Sequence, residues 1–107
     1  MHNAAERMAP VFAALGDPTR LGILATLCES QNQTISQLAS TSQLTRQGLT
    51  RHLQVLEDAG IVASVRSGRE RRFRVEPDQL REMQAYLQRV SRHWDEALGR
   101  LKSFVEK

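Results

Sequence analysis

Arg46, Gln47, Thr50, Arg51 and His52 crowd into seven residues near the head of the stretch LTRQGLTRHLQVLEDAGIV, residues 44–62. Within that stretch Leu49, Leu53, Leu56 and Ala59 recur at intervals of four, three and three, the spacing of one helix face. If the leucines define the buried face, the polar residues point outward from the first two turns. Their chemistry suits the edge of a base pair. An arginine pairs with guanine O6 and N7 or grips a phosphate, a glutamine pairs with adenine N6 and N7, and a threonine offers a methyl to thymine or a hydroxyl to a phosphate. Thr45 stands at the N-cap, where a hydroxyl accepts a free N–H of the first turn. Gly48 costs such a helix roughly 1 kcal/mol relative to alanine, and close approach of the backbone to DNA or to the preceding helix would account for it. His52 has three readings: a phosphate donor, a cap on the preceding turn, or packing beside Leu53. The bland reading of the whole face is a solvated helix surface.

Five more arginines, Arg66, Arg69, Arg71, Arg72 and Arg74, fall within nine residues, with Glu70 the only carboxylate among them. The sequence around them changes from a helical period to a period near two, as "IVASV", "RSGRER" and "RFRVE", which predicts a β-hairpin with Ser67 and Gly68 near its tip. Phe73 and Val75 then face one way, and Arg72 and Arg74 the other. Arg69 and Arg71, nearest the tip, are the expected candidates to enter a minor groove. From Thr41 to Val75 seven arginines stand against Glu57, Asp58 and Glu70, so this segment carries more than the whole chain's net charge of +3. Arginine outnumbers lysine thirteen to two, and guanidinium is the side chain that grips phosphate and guanine with two parallel hydrogen bonds. A salt-bridged surface or a bias of coding composition would give the same count.

The elements that must hold these residues follow from the punctuation of the chain. A first helix is expected over Ala5 to Leu15, with Met8, Val11, Phe12 and Leu15 on one side and Gly16 as its stop. Asp17 and Pro18 open a second helix to about Glu29, expected to bury Leu21, Leu24, Leu27 and Cys28. After the polar "SQNQ", the extended "TIS" leads to a short helix "QLAST" capped by Ser36, and Gly60 ends the helix that begins after Thr45. Pro77 and Asp78 start a final helix in which Leu80, Met83, Leu87, Val90, Trp94, Ala97, Leu101 and Phe104 alternate at three and four. At 1.5 Å per residue its roughly 28 residues span about 42 Å, more than residues 17–76 can cover. The surplus stripe calls for a partner.

A chain of 107 residues, 40% hydrophobic and 25% charged, is one domain with one core. No run of apolar residues approaches the roughly 20 that span a bilayer, and "MHNAAERMAP" lacks the apolar stretch of a signal peptide, so a cytoplasmic protein without membrane contact is expected. The single Cys28 makes no internal disulfide and no thiolate metal site. It reads as packing or as a redox sensor. No nucleophile with a base, no paired carboxylates in an apolar setting and no glycine-rich phosphate loop is present, which argues against an enzyme, and no cofactor is expected.

Two short helices joined by a tight turn and followed by an arginine-rich hairpin follow the order of a winged helix-turn-helix. The segments "FAALGDPTRLGILATL", "TRQGLTRHLQVLEDAGIV" and "GRERRFRV" resemble the ArsR/SmtB family of bacterial winged-helix transcriptional repressors over about residues 10 to 76. The resemblance implies a mainly α fold with a small β-hairpin, dimeric through its N- and C-terminal helices. It divides the single domain 1–107 into a DNA-binding core (17–76), a C-terminal dimerisation helix (77–107) and an N-terminal helix at the interface (5–15). It further implies a homodimer on a pseudo-palindromic operator in double-stranded DNA that represses its own operon and leaves on binding an inducer. Thr45, Arg46, Gln47, Thr50, Arg51 and His52 would then read DNA, the five hairpin arginines would form the wing, and Val11, Phe12, Leu80, Met83, Leu87, Val90, Trp94 and Leu101 would pair the protomers. The chain departs from metal-sensing members: the helix before the recognition helix reads "SQLAS", without thiol or imidazole, and the last helix offers His93 and Asp95 without a second pair about ten residues on. A non-metal small-molecule inducer is the main expectation; a metal- or redox-responsive regulator and a winged-helix module for protein contacts are the alternatives.

Overall fold

A computed structural model describes residues 3–106, so Met1, His2 and Lys107, the ends of the expected domain, lie outside the described residues. Among the described residues, five helices and three strands follow one another: α1 (Ala4–Ala14), α2 (Pro18–Glu29), β1 (Gln33–Thr34), α3 (Ile35–Ser40), α4 (Arg46–Asp58), β2 (Val62–Ser67), β3 (Glu70–Val75) and α5 (Pro77–Val105). The strands form one antiparallel sheet in the order β1-β3-β2. This is a winged helix-turn-helix.

The starts of α2 and α4 follow from their caps. The Asp17 carboxylate accepts the Arg20 N–H at 3.0 Å, with Pro18 in the first turn where its missing donor costs nothing. The Thr45 hydroxyl accepts the Gly48 N–H at 2.9 Å. A β-carbon on Gly48 would stand 3.1 Å from that hydroxyl, so the cap itself, rather than the preceding helix, crowds the position. At the other end of α4, Gly60 takes φ 76° and donates to the Glu57 carbonyl while Ile61 donates to that of Leu56. This reversal favours glycine, brings the fully buried Leu56 and Ile61 to the same bend, and feeds the chain directly into β2.

Three expectations about the helices need correction. Helix α3 starts at Ile35 rather than after Ser36, because Thr34 and Gln37 form a reciprocal capping box, Gln37 N–H to Thr34 Oγ1 at 3.1 Å and Thr34 N–H to Gln37 Oε1 at 2.8 Å. Thr34 is also in a strand: Gln33 and Thr34 pair with Phe73 and Arg72, a third strand beyond the hairpin. In α2 it is Ile23 and Leu27, one turn apart, that are buried, with Leu24 partly so; Leu21 and Cys28 are exposed on the opposite face. Only one row of a helix wedged against α4 and β3 can face both.

The terminal helix behaves as two segments. Its first three turns bed on the protomer: Met83 is buried, Leu80 and Tyr86 pack against the core, and the Tyr86 ring lies 6.0 Å from that of Phe12 on α1. Val11 and Met83, expected between protomers, therefore belong to the protomer's own core. From Leu87 onward Val90 is half-buried, while Leu87, Trp94, Leu98, Leu101, Phe104 and Val105 are exposed. The protomer extends 66 Å along its longest axis, with a radius of gyration of 18.0 Å, against ~13 Å for a compact chain of this length.

Candidate nucleic-acid interface

Burial of Leu49, Leu53 and Leu56 fixes the rotation of α4. With that face inward, Thr45, Arg46, Gln47, Thr50 and Arg51 are all exposed at the leading end, and His52 is half-buried. Gln47 and Arg51 project without an ion pair or hydrogen bond among the described residues. The Thr50 hydroxyl donates to the Arg46 carbonyl at 2.8 Å, leaving its oxygen able to accept. The Arg46 guanidinium donates to Ser36 Oγ at 2.7 Å, bridging α4 to α3.

His52 is held from the side by an unexpected residue. Arg20 Nη1 donates to His52 Nδ1 at 3.3 Å, and Arg20 Nε donates to the Ala14 carbonyl at the end of α1. Arg20 thus joins the α1–α2 corner to the recognition helix. The bond from the Arg20 N–H, together with the nearby Arg20 guanidinium, keeps the Asp17 carboxyl below its ordinary range. Arg20 sits in the stretch "GDPTR" at the start of α2, and nothing local in the sequence signals that its side chain reaches a histidine 32 residues on.

The wing sorts its arginines into two kinds. Register pairs Arg66 with Arg71 and Ser67 with Glu70 around a two-residue turn led by Gly68 at φ 65°, the position where such turns favour glycine. Side chains alternate along a strand, so Arg71 shares the inner face with the buried Phe73 and Val75. Its guanidinium lies 5.2 Å from the Phe73 ring and donates to Glu57 of α4 at 3.0 Å and to Ser64 at 2.6 Å. Arg71 is a clasp between wing and recognition helix. Period two directs it at α4 rather than at the tip, from which it was expected to enter a minor groove. Arg72, on the outer face, donates to the Asn32 carbonyl at 3.1 Å and lies 3.6 Å from Glu70, and Arg74 pairs with Glu76 at 3.5 Å near the base of the wing. Arg66 and Arg69 are exposed and carry no ion pair among the described residues.

The free and tethered cations meet in two clefts flanking the leading turns of α4. One, about 150 Å³, is lined by Arg46, Arg66, Arg69 and Arg71, with Ser36 and Glu70. The other, about 290 Å³, is lined by Arg20, Gly48, Arg51, His52 and Val55. A recognition helix with arginines and a glutamine at its tip and guanidinium groups on either side has the form of a module that enters a major groove while gripping the adjoining phosphates.

Metal ligation has no comparable arrangement. Among the described residues no group of three or more His, Cys, Asp or Glu side chains is placed to hold an ion. No single helix among them is long and apolar enough to cross a membrane.

Comparison with known proteins bears on the same elements. A family model described as a helix-turn-helix domain matches residues 15–65. An uncharacterized HTH-type transcriptional regulator of Bacillus subtilis is 43% identical over 67 residues, covering 57% of this chain and 73% of the relative. Another, of Methanocaldococcus jannaschii, is 31% identical over 78 residues, covering 73% of this chain and 88% of the relative. Among solved structures, an ArsR-like transcriptional regulator from Rhodococcus sp. RHA1 superposes with a TM-score of 0.83 at 37% identity, over 95% of this chain and 93% of that one.

Proposed function

Since the chain belongs to the ArsR-like winged helix-turn-helix transcriptional regulators, and so is a DNA-binding regulator of transcription, we propose that it is a homodimeric cytoplasmic repressor of its own operon, released by a non-metal small-molecule inducer. Residues 17–76 read the DNA and residues 77–107 pair the protomers, assisted by α1. Catalysis has no place in this reading.

The observation that carries it is the orientation of α4. Its leucine face is buried, and the opposite face presents Gln47, Thr50 and Arg51 to a groove while Arg66 and Arg69 flank it. Arg51 pairs with a guanine edge or phosphate, Gln47 with an adenine edge, and Arg66 and Arg69 hold the backbone or enter the minor groove. Arg46 reaches a phosphate from its anchor on Ser36. Arg71, Arg72 and Arg74 hold the wing in place.

The exposed stripe from Leu87 to Phe104 supports the dimer, because a row of large apolar side chains on a projecting helix is stable in water only against a partner. Two protomers related by a two-fold axis each present one recognition helix. Selection from a random duplex pool should enrich a pseudo-palindrome whose half-sites lie about 10 base pairs apart, centre to centre. A pool that shows no enrichment over input contradicts sequence reading.

A further inference from the structure

We infer that Arg20 is a positioning residue for DNA binding: it holds His52 in the neutral tautomer that aims its Nε2–H outward at a DNA phosphate. The inference rests on the proposed use of α4 as the reading helix and assigns roles to two residues beside it.

A guanidinium has donors only, so the 3.3 Å contact between Arg20 Nη1 and His52 Nδ1 requires Nδ1 to accept. An imidazole that accepts at Nδ1 carries its proton on Nε2. His52 is half-buried and lines the cleft shared with Arg20, Gly48 and Arg51, and with Nδ1 engaged its Nε2–H is the donor left for a ligand on the leading turns of α4.

Arg20 can impose this because it is itself fixed. Its backbone N–H is tied to the Asp17 carboxylate at 3.0 Å, and its Nε is tied to the Ala14 carbonyl. A planar fork anchored at one nitrogen directs the next in a set direction, which a lysine ammonium on a flexible stem does not. His52 is therefore neither a cap nor a passive packing residue. Its ring bridges a rigid corner of the fold and the nucleic acid.

The first test needs no DNA. Nitrogen chemical shifts of the His52 ring in the free protein at neutral pH should show a protonated Nε2 and an unprotonated Nδ1, whereas a protonated Nδ1 overturns the inference. The second uses isosteres and DNA obtained by selection with the wild type. A glutamine amide nitrogen sits where Nε2 does and an asparagine amide where Nδ1 does. His52→Gln should thus keep most of the affinity, and His52→Asn should lose roughly ten- to hundredfold, the value of a hydrogen bond to a charged group.

Arg20→Met should lose a similar factor in the wild-type background and little in the His52→Gln background, where no tautomer needs selecting. Arg20→Lys keeps the charge, and should fail to restore affinity. Equal losses for Arg20→Met in both backgrounds, or full rescue by lysine, would reduce Arg20 to a general charge and overturn the inference. If Arg20→Met does not fold, the ring shifts and the two His52 variants still decide the matter. Failure of the wild type to prefer its selected sequence would instead remove the DNA-reading proposal while leaving the ring tautomer standing.

Discussion

Helices α4 and α5 carry apolar stripes of nearly the same period, and only one of them is covered. In α4, which packs on α2, α3 and β2, Leu53 is 1% exposed; in α5 Trp94 is 63% exposed and Phe104 77%. Both stripes read as amphipathic helix in the sequence. Periodicity states which residues share a face, and says nothing of whether the covering surface belongs to the same chain. For α4 the cover is the protomer's core, so its stripe sets the aim of the polar face. For α5, among the described residues, most of the large apolar side chains after the third turn stay exposed, and the stripe becomes a surface for a partner.

That contrast can be broken most forcefully at α5. Leu87→Glu combined with Trp94→Glu should give a folded monomer by sedimentation at micromolar concentration, with operator affinity reduced by about 10²–10⁴, the factor by which two linked half-site contacts exceed one. A dimer that survives both changes would put the interface elsewhere. The matching change in α4, Leu53→Ala, should destabilise the protomer itself by about 2–5 kcal/mol in denaturant titrations. Leu101→Ala should leave the unfolding of the monomeric double variant almost unchanged. Equal costs at both positions would mean that the two stripes are covered alike.

The wing supplies a smaller version of the same contrast. Arg69 and Arg71 are two residues apart, one exposed and without an ion pair among the described residues, the other clasped to Glu57 and Ser64. Arg69→Ala should weaken operator and scrambled DNA alike and reduce the salt slope by about 1. Arg71→Ala should lower stability by about 1 kcal/mol through the lost clasp, with a salt slope closer to wild type. Arg51→Ala, on the reading face, should cost roughly 1–3 kcal/mol on the operator and relax its sequence preference. The smallest effect is expected at Asp17. Its carboxyl is lowered on folding by the Arg20 N–H bond, so its stabilisation is present above the ordinary carboxyl range and fades as pH falls through the lowered value. Asp17→Asn should flatten the acid limb of a plot of Tm against pH.

Much of this was readable beforehand, for physical reasons that differ from residue to residue. Thr45 and Asp17 were legible as caps because capping is decided within four residues of chain. The rotation of α4 was legible because three leucines fix it. The starting residue of α3 is ambiguous in the sequence, because Thr34 and Gln37 spell a capping box while Ser36 offers a rival cap inside it. Arg71 was legible in principle: placing Phe73 and Val75 on the inner face also places Arg71 there, and counting arginines obscured that alternation. Leu21 and Cys28 were misassigned because α2 is apolar nearly all round, so that only the packing of Ile23 and Leu27 against α4 and β3 selects its inner row. The Arg20–His52 contact spans 32 residues of sequence and depends on tertiary placement alone.

The central claim is that α4 reads sequence while the surrounding arginines hold phosphate. Competition titration at one fixed salt concentration, using the selected operator and a scrambled duplex of equal length and composition, tests it most directly. A preference of about 10³ or more for the operator, falling in Arg51→Ala while the scrambled affinity changes far less, is the predicted result. Equal binding of the two duplexes by the wild-type protein would contradict it.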